Sequence, residues 1–129
     1  MKPAVRYLLI IGKSGQLACA LQRLEPGPGL QWRSLGRDEL DLADSAAVAR
    51  AVAADDVAGV INAGAYTQVD KAEDEEDVAR RINGDGPTAL ALACATAGIP
   101  LVQVSTGYVF DGQSSTPDTT AAPGAPLSA

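Results

Sequence analysis

The sequence predicts an α/β domain built on an incomplete parallel sheet of about four strands, with helices on both faces. Short apolar runs of strand length alternate along the chain with Ala-rich segments of helix length. Nearly continuous apolar runs are typical of parallel strands that are covered on both faces. Regular alternation of strand and helix also favours right-handed crossovers. Together these features indicate a sheet of the Rossmann type.

Each element follows from a local signal. The strands are predicted at residues 7–11, 30–35, 57–62 and 101–105, where the apolar runs lie. The helices are predicted at residues 16–24, 45–53 and 74–97, the second with Asp44 or Ser45 as its N-cap. The third is expected to be interrupted or kinked near the sequence NGDGP, and Gly98 and Pro100 should end it. Residues 1–112 should therefore form one domain, followed by a flexible tail at residues 113–129, which is rich in Ser, Thr, Pro, Gly and Ala.

Composition limits the kinds of chemistry. With 47% hydrophobic and 20% charged residues, the chain resembles a globular protein, and it has neither a membrane-length apolar run nor a secretory leader, so we expect a cytoplasmic location. No histidine is present, which excludes a Ser/His/Asp triad. The net charge of −6 argues against a nucleic-acid partner. Cys19 and Cys94 lack CxxC spacing and are expected to be buried free thiols, and no metal site is expected.

A glycine turn joins the first strand to the first helix. Gly12 permits a tight turn, and Gly15 lets a pyrophosphate approach the helix N-terminus. Ala18 stands at the third position of a GxxGxxG pattern and is small enough for close packing. Such a turn occurs both in dinucleotide-binding domains and as a plain structural feature, and both readings stay open on this motif alone.

The second strand ends in Gly36, Arg37 and Asp38, where an NAD-binding protein carries an acidic residue for the ribose. Arg37 suits the 2′-phosphate of NADPH, whereas Asp38 suits a free ribose hydroxyl. We therefore favour NADPH and retain NADH, and a solvated polar turn is the alternative.

Three further blocks carry a specific resemblance. NAGAYTQVDKAEDE (residues 62–75), VSTGYVFDG (residues 104–112) and APL (residues 125–127) resemble the dTDP-4-dehydrorhamnose reductase family of extended short-chain dehydrogenases. The resemblance covers essentially the whole chain. It implies NAD(P)H-dependent reduction of the nucleotide sugar dTDP-4-dehydro-6-deoxy-L-mannose to dTDP-L-rhamnose, with residues 1–112 as the cofactor-binding part.

The resemblance also assigns roles to residues. Thr106 would hydrogen-bond the reacting carbonyl, with Gly107 beside the substrate and Ser105 and Tyr108 nearby. Asp41 would accept a hydrogen bond from the adenine amino group. The implied cofactor-binding residues are Gly12, Gly15, Gln16, Leu17, Arg37, Asp41, Leu42, Ala63, Gly64, Ala65, Tyr66, Thr67 and Val104. Lys71 and Glu73 are expected to form an exposed helix-start pair rather than to touch a ligand.

Two departures from the family pattern affect the expected activity. Most relatives carry Asp where this chain has Gly107. The family pattern also continues after APLSA with a YxxxK motif and a substrate domain, so the chain is expected to stop one residue before that tyrosine and to be inactive alone. A non-catalytic dinucleotide-binding module and an inactive remnant are the alternatives. The sequence leaves open whether the chain forms a homodimer.

Overall fold

The computed structural model describes residues 3–129, which form a four-stranded parallel sheet flanked by helices. The strands are β1 (Arg6–Ile11), β2 (Leu30–Leu35), β3 (Val57–Asn62) and β4 (Leu101–Gln103). The helices are α1 (Gln16–Leu21), α2 (Ser45–Val52), α3 (Val69–Asp74), α4 (Glu76–Arg80) and α5 (Gly86–Ala97). A π-helical turn (Arg81–Asp85) joins α4 to α5, and a 3₁₀ turn (Gly107–Val109) follows β4. The predicted fold class is confirmed, and a strand lies at each of the four predicted places, with β4 shorter than predicted.

The strand order β2-β1-β3-β4 determines which helix lies on which face. The chain moves one way in the sheet from β1 to β2, and the opposite way from β2 to β3 and from β3 to β4. Because such crossovers are right-handed, α1 covers one face while α2 and α5 cover the other. The two latter helices pack against each other over the sheet. Helices on both faces are therefore confirmed.

Most of the core lies between the sheet and the α2–α5 pair. Leu9 of β1 and Val60 of β3 are paired in register and fully buried, and they face Val48 and Leu90 on the two helices. Ile10, which alternates to the other face of β1, is also fully buried. Burial on both faces explains why β1 reads as an uninterrupted apolar run.

Helix α1 ends three residues earlier than predicted. After Leu21 the chain tightens into short turns, with the Arg23 amide donating to the Ala20 carbonyl at 3.2 Å. The Gln22 side chain bonds the carbonyls of Ala18 and Lys13 at 3.0 and 3.2 Å. These side-chain bonds replace the next helical turn, because the chain must turn back toward β2.

The helix predicted at residues 74–97 starts earlier than expected, so its predicted start is wrong. Its predicted interruption near NGDGP is confirmed by the π-helical turn at Arg81–Asp85. Helical structure begins at Val69, breaks at Glu75, and passes through the π-helical turn before α5. The charged sequence around Lys71 has little apolar periodicity, and this concealed α3. Gly98 ends α5 in the left-handed region at φ +67°, as the sequence predicts. The Asp44 side chain caps α2 by accepting from the Ala47 amide at 3.0 Å, which resolves the choice of N-cap.

Strand β4 is two residues shorter than predicted. The Val104 amide is 3.4 Å from the Asn62 carbonyl, a weak last bond, and the chain then leaves the sheet. β4 pairs only with β3, so Val104, which is 43% exposed, has no neighbouring strand to hold it in the ladder within residues 3–129.

Both cysteines are free, but only Cys94 is buried, whereas Cys19 is half-buried on α1. The tail at residues 113–129 forms no helix or strand, and three of its backbone amides donate to residues that precede the tail, that of Gln113 to Asp111 Oδ1 at 3.0 Å. The Ala125 amide donates to the Val109 carbonyl at 2.8 Å, and the Ala129 amide donates to a Glu73 carboxylate oxygen at 2.9 Å. Across residues 3–129, no helix has both the length and the apolar character needed to cross a bilayer.

Candidate functional site

The carboxyl ends of all four strands meet at one edge of the sheet, and the first feature there is the glycine turn. Gly12 has φ +112°, and a Cβ built on it would lie 3.4 Å from the Ala63 carbonyl. Its amide donates to the Leu35 carbonyl at 2.8 Å, which ties the turn to β2. Gly15 has φ −70°, and a Cβ there would meet nothing within 4 Å. Gly12 is thus glycine for backbone reasons, whereas Gly15 leaves open space in front of α1.

The residues that follow the turn are accessible. Gln16 and Leu17 are exposed, Leu17 to 40%, while Ala18 is 1% exposed and packs inward. This is the arrangement expected when the first turn of a helix faces a ligand and the third small residue faces the sheet.

Charged side chains gather at the end of β2. Arg37, Asp38 and Glu39 are exposed there, and Lys13 reaches them from the glycine turn. Lys13 Nζ lies 2.5 Å from Glu39 Oε1, and that hydrogen bond raises the pKa of the Lys13 ammonium and lowers the pKa of the Glu39 carboxyl. Neither Lys13 nor Glu39 was predicted as a site residue, because their contact spans 26 residues and no local spacing indicates it.

The turn after β2 carries Asp41 and Leu42, which face different ways. Asp41 is exposed, and its Oδ1 accepts from the Ala43 amide at 2.9 Å. Leu42 is 8% exposed and belongs to the core, where its Cβ would lie 2.9 Å from a Cβ built on Gly86. The structure therefore places the Asp41 side chain at the surface and most of the Leu42 side chain inside.

A hydrogen-bonded amide pair, buried Asn62 and exposed Gln103, links the ends of β3 and β4. Asn62 is 0% exposed, and its Oδ1 accepts from the Gly64 amide at 3.1 Å. Its Nδ2 donates to Gln103 Oε1 at 2.9 Å, and Gln103 Nε2 donates to the Val104 carbonyl at 2.8 Å. A buried polar side chain needs such partners, and here they fix both strand ends. Asn62 and Gln103 were not among the predicted site residues.

The loop from Ala63 to Thr67 is held at Tyr66 from two sides. Asn83, in the π-helical turn, accepts from the Tyr66 amide at 2.8 Å and donates to its carbonyl at 3.0 Å. The Tyr66 hydroxyl donates to Glu75 at 2.6 Å, and Lys71 lies 3.3 Å from the other Glu75 oxygen. The bond to Glu75 raises the pKa of Tyr66 to about 12 and lowers the pKa of Glu75.

Asn83 is not among the predicted site residues, although the sequence carries a signal for the irregular turn that holds it. The NGDGP break was recognised as a helix irregularity, and π-helical turns of this kind frequently occur at functional sites. The side chain of Tyr66 points to Glu75, so its backbone rather than its ring is the part held beside the sheet edge.

Beyond β4, Thr106 and Gly107 are exposed at the same edge. Thr106 Oγ1 accepts from the Tyr108 amide at 3.3 Å, which opens the 3₁₀ turn. A Cβ on Gly107 would meet nothing within 4 Å, and a cavity of about 500 Å³ lies beside it, lined also by Val69, Phe110 and Leu127. The edge therefore combines the glycine turn, the charged end of β2 and the exposed hydroxyl of Thr106, next in sequence to a residue that lines the cavity.

A second groove, of about 1040 Å³, runs along α2 and α5 over the outer side of these helices and reaches the amino ends of β1 and β3 at Arg6 and Val57. Ligands of open α/β sheets bind at the carboxyl ends of the strands, so the smaller space beside Gly107 is the better candidate site.

Comparison with known proteins agrees with this arrangement. The RmlD substrate binding domain family matches residues 6–129, nearly the whole chain. The chain belongs to this family. The matched residues include the glycine turn, the Ala63–Thr67 loop and Thr106, so the resemblance stated from the sequence is confirmed at the family level.

Relatives of this RmlD-family chain are longer than it is. The dTDP-4-dehydrorhamnose reductase of Streptomyces griseus is 44% identical over 115 residues, covering 89% of this chain and 38% of the relative. A dTDP-4-dehydrorhamnose reductase structure from Clostridium acetobutylicum superposes with a TM-score of 0.87 at 36% identity, covering 95% of this chain and 44% of the other. The Bacillus anthracis reductase in complex with NADP gives the same TM-score and the same coverage at 32% identity. The chain thus spans about two fifths of these relatives.

Proposed function

We propose that this chain binds NADPH, with NADH as the alternative, at the carboxyl edge of its sheet. We further propose that it forms the cofactor-binding part of a dTDP-4-dehydrorhamnose reductase, which reduces dTDP-4-dehydrorhamnose to dTDP-L-rhamnose. One observation carries the proposal: the open space at Gly15, where a Cβ would meet nothing, lies between a turn with positive φ at Gly12 and the charged end of β2. Packing within the chain gives no reason for glycine at position 15, whereas close approach of a pyrophosphate does.

The proposed cofactor contacts follow from the positions of the residues. Backbone amides from Gly15 to Leu17 would hold the pyrophosphate, since they face the open space. Arg37 and Asp41 would hold the adenosine end, with Leu42 contributing mainly its backbone because its side chain is buried. The small residues from Ala63 to Ala65, the backbone of Tyr66, and Thr67 and Val104 would line the path toward the nicotinamide.

The bound cofactor would supply the hydride, and Thr106 would position the keto-sugar. The Thr106 oxygen accepts a hydrogen bond from the Tyr108 amide, so the hydroxyl proton of Thr106 is free to be donated to a carbonyl oxygen of the substrate. Gly107 adds no side chain to this space. A threonine hydroxyl orients and polarises a carbonyl but is a poor proton donor, so we expect binding without turnover from these residues alone.

Calorimetric titration of the chain with NADPH and NADH tests the proposal. We expect saturable binding of NADPH and no oxidation of NADPH when the keto-sugar nucleotide is added. Thr106→Val should leave the Kd for NADPH within twofold and weaken binding of the keto-sugar nucleotide to the complex with NADP⁺. Absence of binding with both cofactors would overturn the proposal.

A non-catalytic dinucleotide-binding module is the second candidate. It would use the same open space at Gly15 and the same glycine turn, and it would need nothing from Thr106. Titration with the keto-sugar nucleotide distinguishes the two candidates, since a non-catalytic module binds the cofactor but has no affinity for that sugar.

A further inference from the structure

Lys13 and Glu39 form a bridge across the end of β2. Lys13 leaves the glycine turn, and its side chain passes over Gly36, where an added Cβ would lie 3.4 Å from Lys13 Cβ and 3.5 Å from its Cδ. Its ammonium then meets Glu39 at 2.5 Å. The Glu39 amide donates to the Gly36 carbonyl at 3.0 Å, so the turn that carries Glu39 is fixed beneath the bridge.

This bridge lies where sheets of this type discriminate between their cofactors. The end of the second strand receives the adenosine ribose, and a basic side chain there accommodates a 2′-phosphate. Arg37 and Asp38 flank the bridge, so two positive and two negative groups stand together. Because Glu39 adds one negative charge and holds Lys13, an arriving 2′-phosphate meets four side chains with no net charge, whereas without Glu39 the group would carry one positive charge.

We propose that Glu39 is a specificity-determining residue, which limits the preference for NADPH over NADH by holding Lys13. The proposal rests on the cofactor binding proposed above. A 2′-phosphate must displace the Glu39 carboxylate before Lys13 binds it, whereas a ribose 2′-hydroxyl does not need to. The side chains of Lys13 and Glu39 are 56% and 36% exposed, so water weakens their attraction and the displacement is feasible. Glu39 therefore lowers the preference without abolishing it.

Isothermal titration of Glu39→Gln tests this proposal directly. We expect NADPH to bind about three- to tenfold more tightly than to the parent chain, because one negative charge is removed and Lys13 is released. The Kd for NADH should stay within twofold. The same contrast should appear with 2′,5′-ADP and 5′-AMP, two probes that differ only in the 2′-phosphate.

A double-mutant cycle distinguishes two ways in which Glu39 could weaken NADPH binding: by holding Lys13, or by repelling the 2′-phosphate directly. Lys13→Met should weaken NADPH binding and leave NADH within twofold, and in that background Glu39→Gln should lose most of its effect. Glu25→Gln is the matched control, since it removes the same charge from the loop before β2, at the opposite edge of the sheet, and should not change the ratio of Kd values. Circular dichroism and the thermal midpoint verify that each variant is folded.

The outcomes are distinct. An unchanged ratio in Glu39→Gln, or an equal change in Glu25→Gln, would overturn the proposal while the proposed function stands. Persistence of the full Glu39→Gln effect without Lys13 would also overturn it. If the parent chain binds neither cofactor, the proposed function and this inference fail together.

Discussion

Replacing Gly15 with alanine separates a binding role of the glycine turn from a structural one. Gly15 has φ −70° and ψ 162°, which alanine adopts without strain, and its Cβ would meet nothing within 4 Å. Reduced freedom of the unfolded chain should stabilise Gly15→Ala by about 0.4–1 kcal/mol. Alanine is a poorer N-cap residue than glycine by roughly 0.7 kcal/mol, which offsets most of this gain. The free energy of unfolding should therefore change by less than about 0.5 kcal/mol.

Cofactor affinity should respond quite differently. The new methyl group projects into the space that a pyrophosphate oxygen would occupy, so we expect NADPH and NADH to bind at least about tenfold more weakly, or ~1.4 kcal/mol. Urea unfolding measures the stability, and isothermal titration measures the two Kd values.

Two other glycines provide the comparison. Gly12→Ala places a side chain at φ +112°, close to the Ala63 carbonyl, and should cost about 1–3 kcal/mol of stability as well as affinity. Gly84→Ala, exposed in the π-helical turn, should change neither Kd by more than twofold. Unchanged cofactor affinity in a fully folded Gly15→Ala chain would refute the reasoning, because phosphate would then not approach Gly15.

Three further predictions concern the support around the site. Asn62→Ala removes the buried amide, leaves the part-buried Gly64 amide without its acceptor and unties β3 from Gln103, so the free energy of unfolding in urea should fall by about 1–3 kcal/mol; a loss below about 0.5 kcal/mol would contradict its role. The bond from Tyr66 to Glu75 stabilises the protonated phenol, so its stabilising effect is present below pH 10 and lost as pH rises toward 12. Absorbance titration at 295 nm should show one tyrosine titrating near pH 12, and Glu75→Gln should lower that pKa; an unchanged curve would exclude the bond. Leu90→Ala, at a fully buried position, should cost about 2–5 kcal/mol in the same urea assay, and a smaller loss would mean that the α5 core relaxes into the cavity.

Elements with one dominant local signal were predictable from the sequence. The apolar runs of β1 and β3 are buried on both faces, and Gly98 ends a helix because it adopts a positive φ, so each pattern has one simple cause. Helix α3 was missed because its residues are mostly charged and bury only Ala72. The end of β4 was misplaced because Val104 looks like a strand residue in the sequence, whereas the sheet formed by residues 3–129 offers it no second neighbour.

The residues of the candidate site also fall into two groups, those with a local sequence signal and those joined only by long-range contacts. Gly12, Gly15 and Thr106 were found from a glycine spacing and a family motif, and the structure places them at one edge of the sheet. The Lys13–Glu39 bridge and the clamp of Asn83 on Tyr66 join residues 26 and 17 positions apart. Such contacts depend on how the sheet brings loops together, and no local pattern encodes them.

The amide pair of Asn62 and Gln103 also determines the position of the Thr106 hydroxyl, because it fixes the register of β4. β4 is joined to β3 through only three register pairs, the last of which sets Asn62 opposite Gln103. A slip by one residue would turn the glutamine to the far side of the sheet, and a slip by two would separate the amides while moving everything after β4 by about 6.6 Å. That distance exceeds the length of any hydrogen bond. The pair thus fixes the register of β4, and with it the distance between the glycine turn after β1 and Thr106 beyond β4, the two places proposed above for the dinucleotide and the sugar.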